Sequence, residues 1–269
     1  MPINHEQRAY FAWPILIKCA KNHRTIQYGA LAKKLDIHWR PVRHILDVIQ
    51  NYCFNEKLPP LTILVVNKGR GIPGKGFIAW DMDDLNADLK KVFSFDWYLL
   101  PNPFGFAAGG DTRNTLAKKL VKNPQTAADI YAQIKVRGYA QLIFRNALLL
   151  AYEAHCAFCG MTFEEALEAA HIIPWNDANN AQRLSPTNGL LLCSTHHELF
   201  DAGLMTMDRK NKVRYYDPNA KDGKYTKTDK ELTIKLHGKS AFMPKKQKYW
   251  PSNESFNYLE TKAGWKDLS

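Results

Sequence analysis

Apolar residues recur at helical spacing from His5 to Ala20, with Tyr10, Phe11, Ile15, Leu16 and Cys19 on the pattern and Pro14 as an expected break. A second pattern puts Tyr28, Leu31, Ala32 and Leu35 on one stripe, with Thr25 as the helix cap. A third turns Val42, Ile45, Leu46 and Ile49 inward. Two short amphipathic helices joined by a turn of a few residues predict a helix-turn-helix. LTILVVN (61–67) then predicts a strand, and the Gly-rich KGRGIPGKGF (68–77) a wing or loop. PNPFGFAAGG (101–110) carries the Gly and Pro of a linker, and from Asp111 to Tyr152 the helical pattern returns with a boundary at Pro124. After it the period changes. Leu167 to Ile173, ended by Pro174, predicts a strand; Asn188 leads the apolar LLLC run of a second strand; HHELFDAG predicts a helix stopped by Gly203.

These elements predict an α+β chain. A winged helix-turn-helix-like domain occupies 1–100, a linker with helices 101–135, and a strand–loop–strand–helix domain with a basic extension 136–269. A length of 269 residues suits two domains, and 45% hydrophobic residues exclude a disordered chain. No run of about 18 uncharged apolar residues predicts a membrane span. The N-terminus has neither the basic start nor the cleavage site of a signal peptide, so a cytoplasmic protein is expected. There, five cysteines read better as metal ligands or core residues than as disulfides. Lys and Arg exceed Asp and Glu by 37 to 26, a weak pointer to a polyanionic partner. The excess concentrates beyond Met205, where Tyr215, Tyr216, Tyr225, Tyr249 and Trp250 interleave. That pattern fits either a surface tracking a nucleic-acid backbone or a solvated face.

The chemistry lies between residues 156 and 203. Cys156-x-x-Cys159 and Cys193-x-x-His196 are two knuckles, each offering two soft or borderline ligands to one tetrahedral Zn²⁺. A segment with so little core needs such a staple. Cys19 and Cys53 sit on apolar stripes and are expected in the core. Four ligands close a structural zinc shell, which leaves His171, Asn188 and His197 unused. His5, His23, His38, His155 and His237 carry no pattern that points to chemistry.

The order His171, Asn188, His197 inside that Cys/His frame resembles the HNH endonucleases with a ββα-metal fold. EAAHIIPW, NGLLLCSTHHELFDAGL, the preceding RGYAQLIFRNALLLAYEAHCAFCG and the tail LHGKSAFMPKKQKYWPSNESFNYLE are similar to the restriction-type bacterial branch. The resemblance spans about residues 136–269 and implies roles. His171 is the general base toward water, His197 holds one catalytic Mg²⁺ or Mn²⁺ at the scissile phosphate, and Asn188 fixes the loop behind His171. Arg145 in the preceding helix is an expected DNA contact. Many members carry Asp just before the base, as a metal ligand; here that residue is Ala170. Glu168, on the opposite strand face from His171, or Asp201, one helical turn after His197, or water completes the shell; alternatively His171 is itself a ligand.

Residues 28–77 faintly resemble the DNA-binding winged helix of alkyltransferase-like proteins, through Tyr28-Gly29-x-Leu31-Ala32, Arg40-x-Val42 and Pro59-Pro60 leading to Val65-Val66. The nucleophilic Cys of that family is missing, with Thr62 about in its place, so alkyl transfer is not expected. Arg40 and Arg43 are the expected DNA contacts; a helical interaction domain is the alternative. Together the resemblances imply an endonuclease for double-stranded DNA with a restriction-type or modification-sensing defence role, acting as a homodimer if it cuts both strands. A zinc-stapled DNA-binding regulator with an inactive HNH remnant and an RNA-cutting toxin are the rivals.

Overall fold

A computed structural model describes residues 3–69, 71–74, 85–134, 136–266 and 268. Two compact units divide the chain, one formed by residues 1–112 with 133–138, the other by 113–132 with 139–269. The stretch 101–135 contributes to both.

In the first unit, α1 (His5–Lys21) starts where the Asn4 side chain accepts the Gln7 amide at 2.9 Å. It runs through Pro14 without the expected break. Proline removes the amide that would bond the Tyr10 carbonyl one turn back. Asn102 replaces that donor, its Nδ2 lying 2.9 Å from the Tyr10 oxygen. A distant amide therefore rescues what the local sequence forbids. After α1 come β1 (Ile26–Gln27), α2 (Tyr28–Lys34) and α3 (Val42–Asn55). Leu31, Ala32, Val42, Ile45, Leu46 and Ile49 are buried as their stripes require. Thr25 is not the cap of α2: β1 intervenes, and the cap position, Gln27, makes no side-chain bond. The expected strand 61–67 is mostly a 3-10 turn (Leu61–Leu64), leaving β2 (Val65–Val66) to pair in parallel with β1. Pro60 opens that turn, and all four of its residues are buried, which satisfies the apolar run without an extended chain. The expected wing, 68–77, lies partly outside the described residues. The unit closes with α4 (Leu85–Ser94) and a core in which the edges of Tyr52, Trp97 and Phe104 surround Trp13.

The second unit begins with α5 (Arg113–Lys122), α6 (Ala127–Gln133) and α7 (Arg137–Ala151), the Pro124 boundary falling between the first two. β3 (Leu167–His171) and β4 (Gly189–Cys193) pair antiparallel, with Leu167 opposite Cys193 and His171 opposite Gly189. α8 (Ser194–Asp201) follows directly and packs on both strands. Gly203, at φ +70°, ends it. The basic extension is folded: β5 (Met205–Met207) and β6 (Val213–Tyr215) pair antiparallel, then α9 (Lys227–Leu232) and α10 (Asn253–Thr261) follow. Its aromatics are mostly spent inside the fold, contrary to a stacking surface. Tyr215 and Tyr249 are buried, the Trp250 indole donates to the Pro244 carbonyl, and the Tyr225 hydroxyl donates to Asp217. Only Tyr216 among the five is exposed. Among the described residues no helix is long and apolar enough to cross a membrane.

Asn102→Ala should destabilise the first unit by about 1–3 kcal/mol, because the Tyr10 carbonyl loses its donor inside the helix; an unchanged denaturation midpoint would refute the rescue. Amide donors at Asp222 and Lys221, with the Tyr225 hydroxyl, hold the Asp217 carboxyl below its usual range. Its stabilisation is therefore complete above the ordinary carboxylate pKa and fades as pH falls through the lowered one. Asp217→Ala should lower the melting temperature at pH 7 and narrow its gap to wild type in acid.

Candidate functional site

Two turns bring four metal-type donors together. Cys156 and Cys159 lie in the loop after α7, where Gly160 takes φ +75° and the Cys156 amide bonds the Met161 carbonyl. Cys193 ends β4, and His196 stands in the first turn of α8. The His196 Nδ1 lies 3.1 Å from the Cys193 sulfur and 3.6 Å from that of Cys156, and the Cys159 and Cys193 sulfurs are 3.9 Å apart. A tetrahedral zinc would separate two thiolates by about 3.8 Å and a thiolate from an imidazole by about 3.6 Å. The donor set fits. Each of these thiols would ligate a metal as its thiolate. His196 Nε2 sits 3.0 Å from the Leu232 carbonyl, which can only accept, so Nε2 carries a proton and Nδ1, facing the sulfurs, is the nitrogen that would ligate a metal.

His171 is the last residue of β3. Its ring stacks on Phe144 of α7 at 4.0 Å and meets Trp175 edge-on at 5.9 Å. The room for Phe144 comes from Gly189 opposite, where a Cβ would lie 2.5 Å from the Phe144 ring. His171 Nε2 lies 3.0 Å from the carbonyl of Arg183. As with His196, the carbonyl can only accept, so Nε2 is the donor of this bond.

Asn188, 1% exposed, ends the 3-10 turn before β4 rather than starting the strand. Its Oδ1 accepts the Ile173 amide at 2.8 Å, and its Nδ2 donates to the carbonyls of Ile173 and Gln182 at 3.1 and 3.2 Å. One side chain thus ties both ends of the loop that follows His171. Ser255 of α10 supports it, donating to the Thr187 carbonyl and lying 3.4 Å from Asn188 Oδ1.

His197 is held by two carboxylates. Glu168 Oε2 lies 2.5 Å from its Nδ1, and Asp201 Oδ2 3.5 Å from its Nε2. Bonds from His197 and then Ser194 keep the Glu168 carboxyl below its usual range. Ala170 is fully buried on the strand face it shares with Glu168, opposite that of His171. The contacts described for His171 and His197 run to different partners.

Arg145 turns its guanidinium to the carbonyls of Leu167 and Glu164, bracing the start of β3. Arg40 and Arg43 lie exposed at the α2–α3 turn, Arg40 over the ring of exposed Trp39 and Arg43 against His44. Thr62 is buried and donates to Gln50. Sequence reasoning passed over Phe144, Trp175 and Arg183. Their roles pass through stacking and a backbone carbonyl, which leave no residue pattern.

The model of the HNH endonuclease family matches residues 156–208, from the first cysteine of the metal set through β5. This part of the chain is similar to the HNH endonucleases. A solved structure of a modification dependent TagI restriction endonuclease is 16% identical, over 46% of this chain and 39% of its own, with a TM-score of 0.29. The match therefore spans well under half of that protein. No match was found among curated proteins.

The purified chain should carry one zinc ion per molecule by elemental analysis. Cys193→Ser and His196→Ala should each lose it and melt lower by about 5 °C or more; full zinc content in either variant would refute the assignment.

Proposed function

We propose that the chain is a metal-dependent HNH endonuclease that hydrolyses phosphodiester bonds of double-stranded DNA. The observation that carries this reading is the held imidazole of His171: one ring nitrogen is engaged by a carbonyl, the ring is backed by Phe144, and the following loop is pinned by Asn188. An imidazole so held is placed to act as a general base toward water. Asn188 aims that base and touches no reacting atom. Cys156, Cys159, Cys193 and His196 hold a structural zinc that fixes the strands and helix behind both histidines.

His197 would hold the catalytic Mg²⁺ or Mn²⁺. Its two carboxylates sit at opposite ring nitrogens, so only one can share a cation with it. The tight Glu168 bond orients the ring through Nδ1, as outer-shell carboxylates do, and the looser Asp201 leaves Nε2 as the ligating atom. This arrangement dispenses with the Asp that Ala170 replaces. When bound there, the cation supplies neutralisation of charge at the phosphate and the leaving oxygen.

Arg40 and Arg43, exposed beside Trp39, are the proposed DNA contacts of the first unit. Arg145, spent on carbonyls, is a brace instead. Similarity of the flanking segments to the restriction-type branch supports a defence role, and cutting of both strands would call for a homodimer.

Supercoiled plasmid with Mg²⁺ or Mn²⁺ should be nicked or linearised by the wild type and left intact in EDTA. His171→Ala and His197→Ala, with zinc retained, should lose roughly 100-fold or more in rate. Intact but retarded plasmid would favour a zinc-stapled DNA binder, and preferential loss of RNA a ribonuclease.

A further inference from the structure

We propose that the turn between α2 and α3 carries a pocket for an unpaired nucleotide of DNA, whose base stacks on Trp39 while Arg40 and Arg43 take the flanking phosphates. The proposal rests on the reading of Arg40 and Arg43 as DNA contacts and adds the state of the DNA that they meet. It needs nothing from His171 or His197.

A cavity of about 490 Å³ opens at this turn, lined by the apolar Ile3, Trp39 and Pro41 and by Arg40, Arg43 and His44. All of these residues belong to the first unit. The volume lies in the range that takes a small organic ligand. Trp39 is 56% exposed, so its ring is not spent on the core. The turn fixes the backbone beneath it: the Val42 amide bonds the Trp39 carbonyl at 3.1 Å, and the Arg40 amide bonds His38 Nδ1 at 3.2 Å. The Arg40 guanidinium lies over the indole at 5.7 Å. Arg43 donates its Nε to His44 Nε2 at 3.2 Å, which orients the guanidinium and leaves its terminal nitrogens for another acceptor. The carboxylate beside them, Asp47, lies 3.7 Å from His44 Nδ1. Among the described residues neither arginine pairs with a carboxylate.

An accessible aromatic face beside two unpaired guanidinium groups suits a base together with its phosphates. A duplex alone would satisfy the arginines, because its phosphates face outward. It would leave the indole and the cavity unused, because the faces of paired bases are covered by their neighbours in the stack. A nucleotide at a gap, a tail or a fork offers a bare face. Every base has one, so the pocket would sense strandedness and tolerate any sequence.

The test uses the full chain without added divalent cation, so that binding is read apart from cutting. The probes are a labelled paired duplex and the same duplex with a short single-stranded tail. Fluorescence anisotropy should give roughly 10-fold tighter binding to the tailed DNA. Trp39→Ala, at an exposed position on which folding does not depend, should bring the tailed DNA to the affinity of the paired one. Trp39→Phe, which keeps a ring, should restore part of the preference. Arg40→Ala and Arg43→Ala should weaken binding to both probes and flatten its salt dependence. A wild type with no preference for the tail would overturn the proposal, as would a Trp39→Ala chain that keeps the preference. Tighter binding to an RNA tail than to the DNA tail would do the same. A chain that shows the Trp39-dependent preference, yet cuts nothing once Mg²⁺ or Mn²⁺ is added, would sink the nuclease reading and leave the pocket standing. One that binds paired DNA through both arginines and ignores the tail would lose the pocket and keep the arginine contacts.

Discussion

The second unit depends on the meeting of Cys156, Cys159, Cys193 and His196 at metal-binding distance. Two five-residue strands and an eight-residue helix are short elements, and β4 is buried throughout. Alone, a segment of that size would have little core, so it leans on α7 and on whatever ties its ends. A metal held by these four residues would join the loop after α7 to the junction of β4 and α8, the ends of the elements that carry His171 and His197. The surrounding contacts repeat the bracing by cheaper means: Arg145 bonds the Leu167 carbonyl, the Ala157 amide bonds Leu191, and Gly189 lets Phe144 reach the strand.

Around this anchor the two histidines are prepared differently. His171 lies against a backbone carbonyl and between aromatic rings. His197 lies between the carboxylates of Glu168 and Asp201. Two imidazoles of one domain therefore stand in different surroundings, one against a neutral acceptor and one between two acidic side chains. Asn188 closes the loop that follows the first of them.

The parts of this arrangement legible in the sequence are those written in spacing. Knuckle spacing marked the four metal donors, and strand and helix periods located β3, β4 and α8 closely. Position on a pleat placed Glu168 across from His171. What escaped is non-local. Pro14 looked like a break because the amide that rescues Tyr10 lies at Asn102, far along the chain. The run 61–67 has strand composition, but burial on every side allowed a 3-10 turn to satisfy it. The tail aromatics looked like a binding surface because composition does not tell a stacked ring from a packed one. Arg183 was invisible because its contact with His171 runs through the backbone.

The bond from His196 to the Leu232 carbonyl, and that from the Phe242 amide to Ala157, carry a consequence for biosynthesis. Ribosomal synthesis delivers both knuckles well before the residues that orient and cover them. A nascent chain stalled near residue 208 would own every metal donor yet lack the acceptor that aims one of them. The frame around the four donors is therefore complete only once residues beyond 240 have been made.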